Sequence, residues 1–382
     1  MHQAIGIIAS NSGTDQLQGI TKVRPLSAAP FGGRYQVMDF PRSCIINAGI
    51  SKIGIVMPYR YRSLLNDPGA GKGWHQSGGG LEILHGSNLG LRRRRWHLPL
   101  RDLLNSSEFL EEGDREDIVF SEANYVANVN VSHLLNYQRR LGADVTLVYK
   151  QGPPEVGDTH ELLRLRLEKP DWDSPAAGAA LIKGWWDDES PNQMEAADSA
   201  FYLGIGVIRR SLLKNLVFES PYVATADLFD ALVENLDSVR IVAFEHKGFF
   251  GSITSVKSYF DCNLALLQPK VREELFAKDN PIHTSQNNSP PTEYLPNASV
   301  SNALIDSGCK INGRIENSVI FPEVEIGANS EVKNCIIMQG AVVGKNAKLE
   351  NAILDKFCAI HDNIVLKGSP DWPVVVSKNA LL

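Results

Sequence analysis

Along the first 265 residues, short β-branched apolar runs alternate with stretches of helical period. AIGIIA (4–9), SKIGIVM (51–57) after MDFPRSCIINAG, DIVFS (117–121), ADVTLVYK (143–150) after HLLNYQRRLG, and YLGIGVI (202–208) before RRSLLKNLV each read as a buried strand beside a helix. Strands separated by helical patterns of 10–15 residues predict a largely parallel sheet with helices on its faces. Such sheets bind ligands beyond the carboxyl ends of their strands, so the loops after Ala9 and Phe120 are where a site belongs. LLRLRLE and AALIKGWW, on either side of a turn at Pro175 to Gly178, read as a hairpin.

From Gln268 the composition shifts to KDNPIHTSQNNSPPTEYLPN, dense in Pro, Asn and Ser, which predicts an extended crossing. The period then changes. Aliphatic residues recur at Ile320, Ile326 and Val332, at Ile337, Val343 and Leu349, and at Leu354, Ile360 and Leu366, in steps of six, six and five that return every seventeen residues. A lone strand would step by two and a helix by three or four. Hexad spacing instead predicts a parallel β-helix of three flat faces per coil, with Gly327 and Gly344 at corners and a looser coil around Ile305 and Ile311. Three parts follow: an α/β domain over 1–265, a linker over 266–297 and a β-helix over 298–382.

The bulk properties narrow the partners. With 382 residues, 43% hydrophobic and 21% charged, the chain is ordinary globular material, and a formal net charge of −6 gives no general attraction to nucleic acid or anionic membrane. The run Arg92 to Arg95, followed only by Trp96, reads as a solvated loop or small anion site, since no aromatics are interleaved with it. Cys44, Cys262, Cys309, Cys335 and Cys358 are odd in number, scattered and without a C-x-x-C pair, which argues against a disulfide framework or a zinc site. With no basic n-region and no run long enough to span a bilayer, the expectation is a cytoplasmic protein with no membrane or nucleic-acid partner.

The stretch RPLSAAPFGGRYQVMDFPRSCIINAGISKIGIVMPYRYRSL, the GKGWH turn, SVKSYFDCNLALL and NSPPTEY together resemble the sugar-nucleotide pyrophosphorylases. Within them the chain is most similar to the glucose-1-phosphate adenylyltransferase (ADP-glucose pyrophosphorylase) family. That resemblance implies a nucleotidyltransferase-like, mostly parallel sheet domain followed by a left-handed β-helix of hexapeptide repeats. It also implies a reaction that joins ATP and glucose 1-phosphate into ADP-glucose and pyrophosphate, with magnesium bridging the phosphates.

The residues that would carry this chemistry are replaced. The family's first phosphate loop, G-G-x-G-T-R, has Ser10 and Asn11 in place of its first two glycines and Asp15 in place of its arginine. An acid there repels polyphosphate, and a Cβ at Asn11 obstructs close backbone approach. The first metal aspartate is represented by Glu122, after Ser121, and the second by Phe249, which cannot ligate a metal. The Lys-Pro of the next segment appears as Leu26-Ser27, and HLPLRDLLN lacks the adenine-side helix start. For the sugar phosphate, Lys169 in Glu168-Lys169-Pro170 matches the family motif literally, while the hairpin reading favours Lys183. Lys22, Arg24 and Arg34 flank the FGG turn, where the family's activator contacts fall, and are the candidate sites for sugar-phosphate or nucleotide effectors.

These losses fit the regulatory, GlgD-type branch of the family: a subunit without its own metal or other cofactor, paired in a mixed tetramer with a catalytic paralogue that holds Mg2+. The alternative is an active nucleotidyltransferase with a degenerate metal site built on Glu122. Hexapeptide β-helices also serve acyltransferases, for which His361 would be the candidate base, although a single corner histidine reads as solvated.

Overall fold

The computed structural model describes residues 4–10, 17–57, 80–86, 98–111, 116–157, 162–168, 180–186, 199–219, 226–285 and 288–382. The expected N-terminal strands, joined by two not expected from the sequence, Gly80–His85 and Ile241–Glu245, form one nine-stranded sheet. Its strands are β1 (Ala4–Ala9), β2 (Lys52–Met57), β3 (Gly80–His85), β4 (Asp117–Glu122), β5 (Val145–Gln151), β6 (Arg164–Glu168), β7 (Ala180–Trp186), β8 (Ala200–Arg209) and β9 (Ile241–Glu245). They lie in the order β3-β2-β1-β4-β8-β5-β9-β7-β6.

β3, β2, β1 and β4 are mutually parallel, and β1 and β4 are buried along their whole length. Helices cover both faces of such strands, which is why they read as unbroken apolar runs. The second half departs from the parallel expectation. β8 runs antiparallel to both β4 and β5, and β6 and β7 form the expected antiparallel hairpin pair. The helix Val131–Leu141 begins at Asn130, whose side chain accepts from the His133 N–H, and ends at Gly142 with φ of 58°. Those two caps satisfy its terminal groups. Its Gln138 and Arg139 donate to Asp117 at 3.1 and 2.9 Å, which fixes the start of β4.

The stretch expected to be an extended linker holds a helix, Pro269–Leu275, and the first rung of the solenoid, Glu293–Tyr294. Pro269 stands at the start of the helix, where its missing N–H costs nothing. The remainder is tied down by asparagines. Asn128 donates to the carbonyls of Leu275 and Asn280, and Asn47 donates to Asn280 Oδ1 and the Pro281 carbonyl, all within 2.9 Å.

The C-terminal region is a parallel β-helix. Ile320, Ile337 and Leu354 stack in register, as do Ile326, Val343 and Ile360, and Val332, Leu349 and Leu366. The looser coil has a simple origin. Ile311 is followed by a two-residue corner, Asn312–Gly313, before the next strand begins at Arg314. The equivalent corners 327–330 and 344–347 have four residues, so Ile305 pairs with Ile320 and Ile311 with Ile326 at a spacing of fifteen. Gly327 packs on Gly344, where a Cβ would meet the Gly344 carbonyl carbon at 2.6 Å.

Other corners use asparagine. Asn302, Asn317, Asn334 and Asn351 hold φ between 46° and 49°, and Asn302 and Asn334 donate to the next asparagine up the stack at 2.7 and 3.2 Å. Asparagine tolerates this left-handed conformation because its short amide bonds locally.

The two domains share a core. Leu17, Ile20, Leu26, Phe31, Phe40, Tyr259 and Leu266 of the first domain form one apolar cluster with Val319, Phe321, Ile336, Met338 and Ile353 of the second. Gly32 N–H donates to Asn263 Oδ1 at 2.9 Å, and Tyr259 donates its hydroxyl to the Pro30 carbonyl. The five cysteines are buried thiols; for Cys44 and Cys335 burial pushes the pKa up to about 12. Among the described residues no helix is long and apolar enough to cross a membrane.

Candidate functional site

The carboxyl ends of β1, β2 and β4 converge, with Ala9 in register with both Val56 and Glu122. Ser10 follows at once, buried, its N–H donating to the Val56 carbonyl at 3.0 Å. Its hydroxyl pairs with that of Ser27. Leu26 and Ser27, expected where the family has Lys-Pro, are 0% and 1% exposed, and Leu26 belongs to the core cluster shared by the two domains. Asn11, Asp15, Lys169, the GKGWH turn and Arg92 to Arg95 lie outside the described residues.

Glu122 is 7% exposed at the end of β4. It borders a cavity of about 10 Å³ whose other walls are Ala9, Leu98, Phe120, Ser121, Tyr202, Leu228 and Phe229. That is room for roughly one water. Ser121 Oγ donates to the Glu122 carbonyl at 2.9 Å and lies 2.6 Å from the Tyr125 hydroxyl. Burial pushes the phenols of Tyr125 and Tyr202 well above their ordinary pKa, and the Glu122 charge works in the same direction.

The cavity is narrowed by residues whose role is not evident from the sequence. Pro99 bridges to Asp227, Leu228 N–H donates to the Leu98 carbonyl at 3.0 Å, and Leu100 N–H donates to the Ala226 carbonyl. The region expected on the adenine side is thereby fastened to the helix Leu228–Val233, with Leu98 and Leu228 facing the space beside Glu122. The available signal was the capping box at Asp227 and Asp230, which fixes where that helix starts.

Phe249 precedes the strand Phe250–Ser252, which pairs antiparallel with Tyr125–Ala127 just beyond Glu122. The register pairs Phe250 with Ala127 and Ser252 with Tyr125, so Phe249 lies beyond the Ala127 end of this ladder, away from Glu122, and the two expected metal positions are not brought into neighbouring strands. Phe249 is 2% exposed and belongs to the cluster shared by the two domains. A magnesium cradle needs hard oxygen ligands in octahedral array. A phenyl ring packed in an apolar core and a single carboxylate beside a mostly apolar cavity do not fit one. Among the described residues no three His, Cys, Asp or Glu side chains gather as a metal would require.

Lys183 falls where the register of β6 and β7 slips, between Ile182 and Gly184, and reaches Glu168 at 3.5 Å with both side chains 56% exposed. An ion pair so open to solvent contributes little. The three cations around the FGG turn do not form one surface cluster. Lys22 and Arg34 are exposed, but Arg24 is 5% exposed and its Nη2 contacts both oxygens of Asp355, at 2.8 and 3.0 Å, across the domain junction. Arg24 was expected with Lys22 and Arg34 to hold effector anions; here a fully buried carboxylate already engages it. His361 is exposed on a solenoid corner.

Comparison with known proteins agrees with this architecture. Residues 292–369 match the GlmU-like C-terminal hexapeptide family. The glycogen biosynthesis protein GlgD of Bacillus subtilis is 27% identical over 332 residues, covering 86% of this chain and 82% of that protein. The glucose-1-phosphate adenylyltransferase of Clostridium novyi is 27% identical over 85% of this chain and 82% of its own length. That of Thermotoga neapolitana is 29% identical over 84% and 74%. Through both domains, then, this chain is similar to the glucose-1-phosphate adenylyltransferases and to the glycogen biosynthesis protein GlgD.

Proposed function

We propose that this chain is a non-catalytic, regulatory subunit that works with a catalytic glucose-1-phosphate adenylyltransferase in glycogen biosynthesis. One observation carries the reading: Phe249, the residue that the resemblance sets against the family's second metal aspartate, has its ring in the interdomain core. The cavity beside Glu122 supports it, because its walls at Ala9, Leu98, Phe120, Leu228 and Phe229 offer no oxygen side chain to a metal or a phosphate. The subunit binds no metal of its own; Mg2+ serves in the catalytic partner. Its working place is the cytoplasm, where the partner's nucleotide and sugar phosphate are made.

Regulation requires only that contacts with the partner differ between the partner's less and more active states. A mixed tetramer provides such contacts, and the β-helix offers flat faces for them. Sugar-phosphate or nucleotide effectors bind the assembly rather than the buried Arg24.

The test has two arms. The purified chain, given ATP, glucose 1-phosphate and magnesium, makes no measurable ADP-glucose; turnover within tenfold of an active relative overturns the reading and favours an enzyme built on Glu122. Co-expressed with a catalytic paralogue from the same genome, the chain co-elutes with it in size-exclusion chromatography with light scattering and changes its activity or effector response. Failure to co-elute, or co-elution with unaltered kinetics, sinks the regulatory role.

A further inference from the structure

The Arg24–Asp355 pair joins residues 331 positions apart, one from each domain, with side chains 5% and 0% exposed. Arg24 Nη1 also points to Met338 Sδ at 3.8 Å, so the guanidinium is wrapped by the solenoid. Removing one partner of such a pair strands a charge in a low dielectric, which makes the contact intolerant of any other domain register. The flanking chain is held at both ends. On one side the turn Gln18–Thr21 rests on the strand Val374–Val376, with so little room that a Cβ on Gly19 would meet Val375 Cγ1 at 2.9 Å.

On the other side, three residues after Arg24, Ser27 pairs its hydroxyl with Ser10 at the end of β1, and the Ser27 carbonyl accepts from Met38 N–H at 3.0 Å. A 3-10 turn over Leu26–Ala28 spans the gap, its Ala28 N–H bonded to the Pro25 carbonyl at 3.1 Å. The connection from Asp355 to Ser10 is thus short, buried and continuous, and it ends beside Ala9, in register with Glu122.

We propose that Arg24 and Asp355 form an interdomain latch: the pair fixes the register of the β-helix against the α/β domain, and the segment Gln18–Ala28 transmits that register to the end of β1. A shift of the solenoid, such as a partner subunit gripping it would cause, then alters the Ser10 end of the sheet through these residues. The inference does not depend on whether the chain is catalytic.

Hydrogen–deuterium exchange of the full chain tests it, with Arg24→Ala and the gentler Asp355→Asn as perturbations. The reporters are the amides of Ser10, Ala28 and Met38, whose acceptors are Val56, Pro25 and Ser27. Exchange at all three is expected to rise at least tenfold in each variant, while the strand Ile241–Glu245, remote from the latch, keeps its protection. A rise confined to the solenoid coil around Asp355, with Ser10 and Ala28 unchanged, overturns the proposal. Should Arg24→Ala fail to fold, Asp355→Asn decides by the same criterion, since it preserves shape while removing the charge and one of the two acceptor oxygens.

Discussion

Replacing Phe249 with aspartate would supply the carboxylate that the family resemblance expects there, and the structure leads to the opposite of a rescue. The ring is 2% exposed within the interdomain cluster. Truncating a buried phenylalanine costs about 3–5 kcal/mol in lost burial and cavity. The new carboxyl adds an electrostatic cost: an unfolded aspartate titrates near 3.9, and keeping it neutral in the core to pH 7 costs about 1.4 kcal/mol per pH unit over about three units, or about 4 kcal/mol. Together these are comparable to the whole stability of a typical domain, about 5–15 kcal/mol.

The sign of the pH dependence follows from linkage. With the folded pKa raised, the folded state holds a proton that the unfolded state has released, so the stability of Phe249→Asp relative to the parent falls as pH rises above about 4. Urea unfolding followed by circular dichroism between pH 4.5 and 7.5 measures it. Phe249→Leu, which keeps the site apolar, should lose far less and show no added slope. Stability of Phe249→Asp within about 1 kcal/mol of the parent at pH 7, or a magnesium-dependent gain in stability, would refute the reasoning.

Other outcomes follow from the same geometry. Gly313→Ala should destabilise by about 1–3 kcal/mol, because the added Cβ meets the Ser330 carbonyl oxygen at 2.6 Å in the shortened corner; thermal unfolding reports it. Leu228→Ala removes a fully buried wall of the Glu122 cavity and should cost about 2–5 kcal/mol in chemical unfolding, with no thermal shift on adding ATP. Burial lowers the pKa of His246, so the unfolded state takes up a proton that the folded state resists. Stability should fall as pH drops below about 6.5, and His246→Gln should flatten that part of the profile.

Much of the architecture was legible because it depends on local period. Buried parallel strands announce themselves as continuous aliphatic runs, and the hexad spacing of Ile320, Ile326 and Val332 identifies a solenoid before any contact is known. What was hidden depends on pairing between distant residues. β8 gives no local sign that it will run antiparallel, since orientation is decided by which edge the returning chain meets. The substitutions at the candidate site were visible as residue types, but their meaning was not. Phe249 read only as a missing ligand, whereas its packing makes it part of the domain junction. Arg24 read as a candidate effector contact beside the FGG turn, and its buried partner lies 331 residues away. An aspartate directly after Leu354, at the end of a ladder of inward aliphatic positions, was the clue to that partner.

The two-residue corner at Asn312–Gly313 bears on how such a solenoid can change length. Ile305 still sits on Ile320 and Ile311 on Ile326, as inward neighbours, although their coil has lost two residues. The corner behaves as an expansion joint: the stacked faces stay aligned while the difference is taken up between them. Insertions in this region therefore belong at corners, where a short peptide grafted between Ile311 and Arg314 would project outward and leave every ladder above and below it in phase.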